Sequence, residues 1–189
     1  MDLQHFQQMI AAGEPLRGEE MIAFMREQSD NTHRLLFDLN NSYHTPEEIV
    51  ALFSRITDSE VHESFRMFPP FYTDCGRNIH IGNNVFIGAN TTIEIGTIGI
   101  TIIEDNVKVD DLVQIGHNSS TGMNTLITVG SILCGGVVVE ENCYVAPNVT
   151  IREKVHVARN SFLGMGTVVI RDVDAGSTII GNPGRLLIK

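Results

Sequence analysis

The residue best suited to acid–base chemistry is His117, in the segment Ile115-Gly116-His117-Asn118. An imidazole titrates near pH 7, so a histidine can take a proton from a hydroxyl or an amine and later release it. Asp110, seven residues earlier, could orient or charge-stabilise that imidazole, or could be one more exposed acid. His117 and Asp110 are therefore the candidate catalytic pair.

A six-residue repeat fills the C-terminal two thirds of the chain and determines how these side chains are placed. Three hexads run from residue 81 to 98, four residues (Gly99 to Ile102) are then inserted, and twelve more hexads run without a break from 103 to 174. In those twelve the lead residue is Ile, Val or Leu eleven times, with Thr121 the exception, and the fifth residue is always small or β-branched. One large aliphatic and one small residue per hexad must therefore point into a narrow tube.

This repeat predicts a parallel β-helix. Three hexads make one triangular coil, so fifteen hexads make about five coils, stacked roughly 4.8 Å apart. The alternative is a set of ordinary antiparallel strands, but a chance aliphatic pattern would lose its phase within two or three repeats. His117 is the third residue of its hexad and faces outward in this phase, which argues against a core histidine.

Helices are predicted ahead of the repeat. Apolar residues recur at helical spacing between residues 21 and 39, and Thr45-Pro46-Glu47-Glu48 provides an N-cap hydroxyl, a first-turn proline and first-turn acids. Phe68-Pro69-Pro70-Phe71 then interrupts helix and ladder hydrogen bonding. We therefore divide the chain into a helical N-terminal region (1–65), a connecting segment (66–80), the hexapeptide-repeat β-helix (81–174) and a C-terminal tail (175–189).

Charge is distributed unevenly along the 189 residues, whose formal net charge is -10. Residues 1–65 contain twelve acids and four bases, whereas residues 151–189 contain six bases and three acids. Such a protein is a poor partner for nucleic acids, while its basic end either holds one small anionic ligand or is a solvated surface. The short, charge-interrupted apolar runs and the start MDLQHFQQ predict a cytoplasmic protein without a membrane span.

We expect the three cysteines to be packing residues rather than metal ligands or disulfide partners. Cys75, Cys134 and Cys143 make neither a metal-ligand spacing nor a disulfide framework, so we expect reduced thiols. Cys143 is a fifth, inward residue of its hexad, and Cys134 is also expected in or near the core.

Several segments resemble hexapeptide-repeat acyltransferases. The N-terminal helices with Ala12-Gly13-Glu14, the segment FYTDCGRNIHIGNN (71–84) and the run GMGTVVIRDV…GNPGRLL (164–187) are similar to the maltose and galactoside O-acetyltransferases. The middle, from residue 90 to 120 with NTTIEIG and VDDLVQIGHNSS, is more similar to the N-acyltransferase of lipid A assembly. The resemblance implies a mainly β fold, a left-handed parallel β-helix preceded by a small α-helical region.

The resemblance further implies an acetyl-CoA-dependent O-acetyltransferase that acts on a sugar or sugar-containing acceptor. His117 would be the general base, and the acyl group would pass directly in a ternary complex, so that no nucleophilic cysteine is needed. The alternatives are an N-acyltransferase acting on an amino sugar or nucleotide-linked amino sugar, and a non-catalytic trimeric scaffold.

Binding residues also follow from the resemblance. Asp74 in Tyr72-Thr73-Asp74-Cys75-Gly76 resembles a segment that contacts the sugar, and Asn90 is a second acceptor-binding candidate or a structural corner asparagine. The residues that match the acetyl-CoA site are Gly164, Gly166, Thr167 and Arg171, along the pantetheine arm, and Arg185, near the nucleotide phosphates.

The family fold implies a homotrimer whose active site lies between two subunits, one supplying the base and the other helping to hold CoA. Another enzyme class with this coil, the γ-class carbonic anhydrases, needs three histidines around zinc. The histidines in or beside the coil, His80, His117 and His156, fall at unlike hexad positions, so no metal is expected.

Overall fold

The computed structural model describes residues 5, 8, 9, 17–95 and 100–187. Two helices, α1 (Glu19–Asn41) and α2 (Pro46–Thr57), precede a stack of short strands. α2 begins as the sequence predicts, because the Glu48 N–H donates to the Thr45 hydroxyl (3.3 Å) and the Thr45 N–H donates to the Glu48 carboxylate (2.8 Å). The Phe53 ring of α2 packs against Phe71, at 5.0 Å between ring centroids, which anchors the helices on the first coil.

The strands form three sheets, one for each side of a triangular tube. Sheet I contains β1 (Arg66–Met67), β4 (Phe86–Ile87), β7 (Lys108–Val109), β10 (Leu126–Ile127), β13 (Tyr144–Val145), β16 (Phe162–Leu163), β18 (Thr178–Ile180) and β19 (Arg185–Leu186). Sheet II contains β2 (Phe71–Tyr72), β5 (Thr91–Ile93), β8 (Gln114–Ile115), β11 (Ile132–Leu133), β14 (Thr150–Ile151) and β17 (Val168–Val169). Sheet III contains β3 (Ile79–Ile81), β6 (Thr101–Ile103), β9 (Ser120–Thr121), β12 (Val138–Val139) and β15 (His156–Val157). All pairings are parallel except that of β18 with β19.

The register places equivalent hexad residues directly above one another. Leu126 pairs with Tyr144 and Ile132 with Thr150, an offset of eighteen residues, or three hexads per coil. The lead and fifth residues point inward as predicted: Ile115 and Ile127 are fully buried, Cys143 is 2% exposed, and even the exceptional lead residue Thr121 is fully buried.

Most corners of the tube turn at the fourth hexad residue, which adopts a left-handed φ of 53° to 71°. This residue is usually Asn or Gly, the residues that tolerate the conformation best. Leu112 (φ 59°) and Lys154 (φ 61°) adopt it as well, although a larger side chain makes the conformation less favourable.

The coil starts earlier than the hexads indicate. The segment 66–80, expected to be a connection, contributes β1, β2 and most of β3, and Arg66 pairs with Phe86 while Phe71 pairs with Thr91. The tube therefore has about six coils, one more than the repeat count predicts. This first coil is hidden in the sequence because its offset to the next coil is twenty residues, so it does not share the hexad phase.

The additional four residues also lie earlier than predicted. Thr101 and Ile102 were assigned to the insertion, yet both belong to β6, and Thr101 is fully buried like a fifth hexad residue. The extra length therefore falls between β5 and β6. The sequence places it wrongly because isoleucines at 98, 100, 102 and 103 fit more than one phase.

Candidate active site

Three corners join the sheets, and the register aligns their outward side chains in columns with a rise of about 4.8 Å per coil. The His117 corner, between sheets II and III, carries at the second hexad position Asp74, Glu94, Gly116, Cys134 and Arg152, and at the third His117, Gly135, Glu153 and Arg171. The Asp110 corner, between sheets I and II, carries Asn90, Asp110, Leu112, Gly164 and Gly166. The Glu104 corner, between sheets III and I, carries Glu104, Met123, Glu140 and Arg159.

His117 lies two residues after the end of β8, and its exposed side chain points away from the tube, as its place in the hexad predicts. The next residue, Asn118, turns the chain with a left-handed φ of 59°. The imidazole lies against Gly135 in the coil above: a Cβ at residue 135 would come within 2.5 Å of Nε2 and 2.6 Å of Cε1. The candidate base is therefore exposed and rests on a glycine.

Glu94 is a neighbour of His117 that the sequence did not single out. It lies one coil below, and its Oε2 accepts the backbone N–H of His117 at 3.4 Å, while its Oε1 accepts Gln114 Nε2 at 3.0 Å. The residue above it in the column, Gly116, has no side chain, which leaves room for the carboxylate to extend upward. The sequence did contain a signal for this contact. Glu94 is a second hexad residue, and the second hexad residue one coil later at the same corner is Gly116, which directly precedes His117.

Asp74 occupies the same corner two coils below His117, which corresponds to about 10 Å. Its Oδ1 accepts the backbone N–H groups of Cys75 (3.1 Å) and Ile95 (3.2 Å). The carboxylate proposed to bind the acceptor therefore also ties the first coil to the second. The side chain remains exposed.

Arg171 and Arg185, both predicted to bind acetyl-CoA, line one pocket of about 340 Å³ at the far end of the tube. Arg171 stands in the His117 column, three coils above the histidine, and Arg185 comes from β19 of the tail. Asp172 and Asp174 also line this pocket, so its charge is mixed.

Asp110 and Asn90 lie at a different corner from His117, so a single chain does not bring the predicted catalytic pair together. Asp110 follows β7 in sheet I, and its Oδ1 accepts the N–H of Asp111 at 2.9 Å. Asn90 adopts a left-handed φ of 57°, which gives it a structural role at the turn. The hexad phase already places Asp110 one hexad before His117, on the neighbouring face, and the structure puts the two residues at the opposite ends of one side of the triangle.

Gly164, Gly166 and Thr167 also lie at or beside the Asp110 corner. A Cβ at Gly164 would be 2.9 Å from Ile180 Cγ2, whereas nothing lies within 4 Å of one at Gly166. Thr167, predicted to line the pantetheine arm, is a fifth hexad residue and is fully buried inside the tube. Its side chain therefore contributes to the core and cannot line an outer surface.

The cysteines divide between core and corner. Cys75 and Cys143 are buried, but Cys134, expected in or near the core, is only half-buried at the second hexad position of the His117 corner. Burial raises the pKa of the Cys134 thiol, and the negative charges of Glu153 and Glu94 raise it further. Both carboxylates therefore make the electrostatic potential beside the candidate base more negative.

An apolar pocket of about 620 Å³ lies between the α1–α2 turn and the first two coils, lined by Tyr43, Met67, Phe68 and Phe86 among others. None of the predicted site residues contributes to it. Across the part of the chain that the structure describes, no three His, Cys, Asp or Glu side chains are grouped so that they could hold a metal ion. Within the same residues, no helix is both long and apolar enough to cross a membrane.

Comparison with known proteins shows partial sequence relatives. No protein-family model matches the chain. The UDP-3-O-acylglucosamine N-acyltransferase of Cytophaga hutchinsonii is 52% identical over 58 residues, which are 31% of this chain and 17% of that enzyme. The chain spans between 17% and 35% of the length of the curated relatives it matches.

Solved structures match over more of the chain. The maltose O-acetyltransferase from Clostridium difficile 630 superposes with a TM-score of 0.59 and 18% identity, over 96% of this chain and 95% of that one. A mutant of the perosamine N-acetyltransferase from Caulobacter crescentus, in complex with CoA and GDP-perosamine, superposes with a TM-score of 0.56 and 21% identity, over 69% of this chain and 56% of that one. The repeat, the three-sheeted coil and these likenesses confirm the fold that the sequence predicts: a left-handed parallel β-helix preceded by a helical region, as in the hexapeptide-repeat acyltransferases to which the chain is similar.

Proposed function

We propose that this chain transfers an acetyl group from acetyl-CoA to a sugar-like acceptor, with His117 as the general base. The observation that carries the proposal is the composition of the His117 corner. An exposed imidazole stands in the middle of this corner, with the carboxylates of Asp74 and Glu94 below it. Above it lie the neighbours Arg152 and Glu153 and then the guanidinium of Arg171, so the side above is the more positive one. This order separates a place for an anionic donor from a place for a hydroxyl- or amine-bearing acceptor.

The reaction is a direct transfer in a ternary complex. The acceptor oxygen or nitrogen attacks the thioester carbonyl carbon as His117 accepts its proton. The new bond to carbon forms, the carbon–sulfur bond breaks, and the proton passes from the imidazole to the sulfur, so that CoA leaves as the thiol. No protein nucleophile takes part, which agrees with a Cys134 thiol whose pKa is raised rather than lowered.

The donor would lie along the upper half of the tube. Arg171 and Arg185 line one pocket and suit the phosphates of CoA, since guanidinium groups pair with phosphate in a forked geometry. Gly166, where no atom lies within 4 Å of the position of a Cβ, would leave space for the pantetheine arm, whereas the side chain of Ile180 fills the space beside Gly164. We assign no contact to the side chain of Thr167, which is buried.

An amino group is the better supported acceptor. The curated relatives are named as N-acyltransferases, and the exposed carboxylate of Asp74 lies on the acceptor side of His117. A carboxylate attracts an ammonium group more strongly than a hydroxyl. The hydroxyl acceptor predicted from the two ends of the sequence is the second candidate, because Asp74 can also pair with vicinal hydroxyls.

A homotrimer would complete the site. The predicted catalytic pair lies at two different corners of one chain, and a neighbouring copy could bring the partner's Asp110 towards His117 across an interface. Light scattering should then show a trimer. A stable monomer with full activity would contradict this arrangement.

The deciding experiment measures thiol release from acetyl-CoA with a panel of amino sugars and hydroxyl sugars. H117A should lower kcat by about 10²- to 10⁴-fold, the usual contribution of a general base, with little change in thermal stability because the side chain is exposed.

The matched control is H156A, which removes another exposed coil histidine, bound to Glu140 at 2.9 Å on the sheet III side. Full turnover by H117A would refute its catalytic role. Absence of thiol release with every acceptor would favour the non-catalytic scaffold.

A further inference from the structure

Three glutamates make the same contact between coils. Each is the second residue of its hexad, and its carboxylate accepts the backbone N–H of the third hexad residue in the coil above. Glu94 accepts from His117 at 3.4 Å, Glu104 from Met123 at 3.0 Å and Glu140 from Arg159 at 2.9 Å. The contact therefore belongs to the construction of the coil, and at one corner the residue it holds is the candidate base.

The contact at His117 is reinforced from a second direction. Gln114 Nε2 donates to the other oxygen of Glu94 at 3.0 Å, so the carboxylate links the strand before the turn to the N–H within it. A carboxylate held at both oxygens has little freedom, and the backbone of His117 is correspondingly fixed.

Gly135 limits the imidazole from above. The three atoms nearest to a Cβ at residue 135 all belong to the His117 ring, at 2.5 to 3.1 Å. At Gly116 and Gly122, by contrast, the nearest atoms are backbone atoms of the next coil. The φ of Gly135 lies outside the left-handed region, so its backbone does not require glycine. The missing side chain at residue 135 therefore serves the histidine rather than the fold.

We propose that Glu94 and Gly135 are positioning residues for His117. Glu94 fixes the backbone of residue 117 from below, and Gly135 leaves a notch that holds the Nε2 edge of the ring from above. A base restricted in this way meets the acceptor in one geometry without first losing side-chain freedom. The inference rests on the proposed function for its catalytic meaning, but the notch itself is a property of the coil.

The kinetic test compares G135A and E94A with E104A. G135A and E94A should lower kcat about tenfold or more, because a base displaced by about 1 Å loses much of its effect, while KM for acetyl-CoA changes less than about twofold. E94Q keeps an oxygen that can accept the His117 N–H and should recover most of the activity lost in E94A. E104A loses the same type of backbone contact at a corner without a histidine and should behave as wild type.

A second measurement separates this inference from the proposed function. The ring resonances of His117 can be assigned by their disappearance in H117A, and G135A and E94A should shift the Cε1–H signal while E104A leaves it in place. If wild-type protein transfers no acetyl group, the proposed function fails and this shift still decides the notch. An unchanged signal and kcat in G135A would overturn the inference, as would E94Q being as impaired as E94A.

Discussion

The His117 corner and the Asp110 corner belong to the same coil and obey the same register, yet they carry opposite kinds of side chain. The first presents an ionisable group in each of its six coils, counting Cys134. Apart from Asp110, Asp111 and the turn asparagines, the second presents small and apolar residues, with Leu112 58% exposed and Met165 74% exposed. The coil supplies equivalent positions at both corners. The chemistry of each corner therefore depends only on which residues occupy the second, third and fourth positions of its hexads.

This difference bears on assembly. An exposed apolar edge is better suited to being covered by another protein surface than to binding a charged donor. A charged edge with an imidazole suits contact with substrates. The two corners would therefore be complementary halves of one site if neighbouring copies bring them together.

The strongest test of this complementarity mixes two defective chains. H117A and D110A should each be impaired as pure proteins, whereas a co-expressed mixture should regain up to about a quarter of the wild-type activity, since some interfaces then combine an intact His117 with an intact partner's Asp110. The measurement is thiol release per subunit in purified mixed oligomers. No recovery, with assembly shown by light scattering, would mean that the two corners do not share a site.

A smaller effect is expected from the fourth hexad residues of the two corners. Leu112 and Asn118 both have φ 59°, but only asparagine tolerates this conformation well. L112N should therefore raise the free energy of unfolding by about 1 kcal/mol, or the melting temperature by about 2–4 °C, while N118L should lower both.

Thermal and urea unfolding of these two variants would measure the change. A destabilised L112N would show that the exposed leucine makes a contact worth more than the backbone strain, which would place an apolar interface at the Asp110 corner.

The smallest predicted effect concerns Cys134, which reports on the His117 corner. Its pKa is raised by burial and by the charges of Glu153 and Glu94, so the thiolate fraction and the alkylation rate should be low at pH 8 and rise with pH. E153Q removes one negative charge, lowers this pKa and should accelerate iodoacetamide labelling about twofold to fivefold, as followed by mass spectrometry. Buried Cys143 is the internal control. Equal rates in E153Q and wild type would contradict the influence of Glu153.

The fold was largely predictable because the sequence repeats with a period of six residues. Lead and fifth residues such as Ile115 and Cys143 are buried where the hexad phase places them, and the Thr45 capping box is formed. The first coil escaped prediction because it has a different offset, and the insertion was misplaced because alternating isoleucines allow more than one phase.

The site was predictable in part. Hexad phase gave the outward direction of His117 and placed Asp110 one hexad earlier, on the neighbouring face, but it could not give the distance between the two side chains. Asp110 was therefore paired with His117 across one side of the triangle, and Thr167 was assigned a ligand although its hexad position faces inward. Glu94 and Gly135 were missed because their relation to His117 exists only between coils.

The four additional residues between β5 and β6 have a practical consequence. Strand pairing is unbroken on either side of them, with Thr92 opposite Gln114 and Ile102 opposite Ser120. Chain length at this corner can therefore vary without altering the ladder, and the corner is the one that holds His117. The chain between Ile95 and Thr101 is accordingly a suitable position for grafting a loop from another enzyme, so that acceptor preference could be redesigned while Glu94 and the strand ladder are kept.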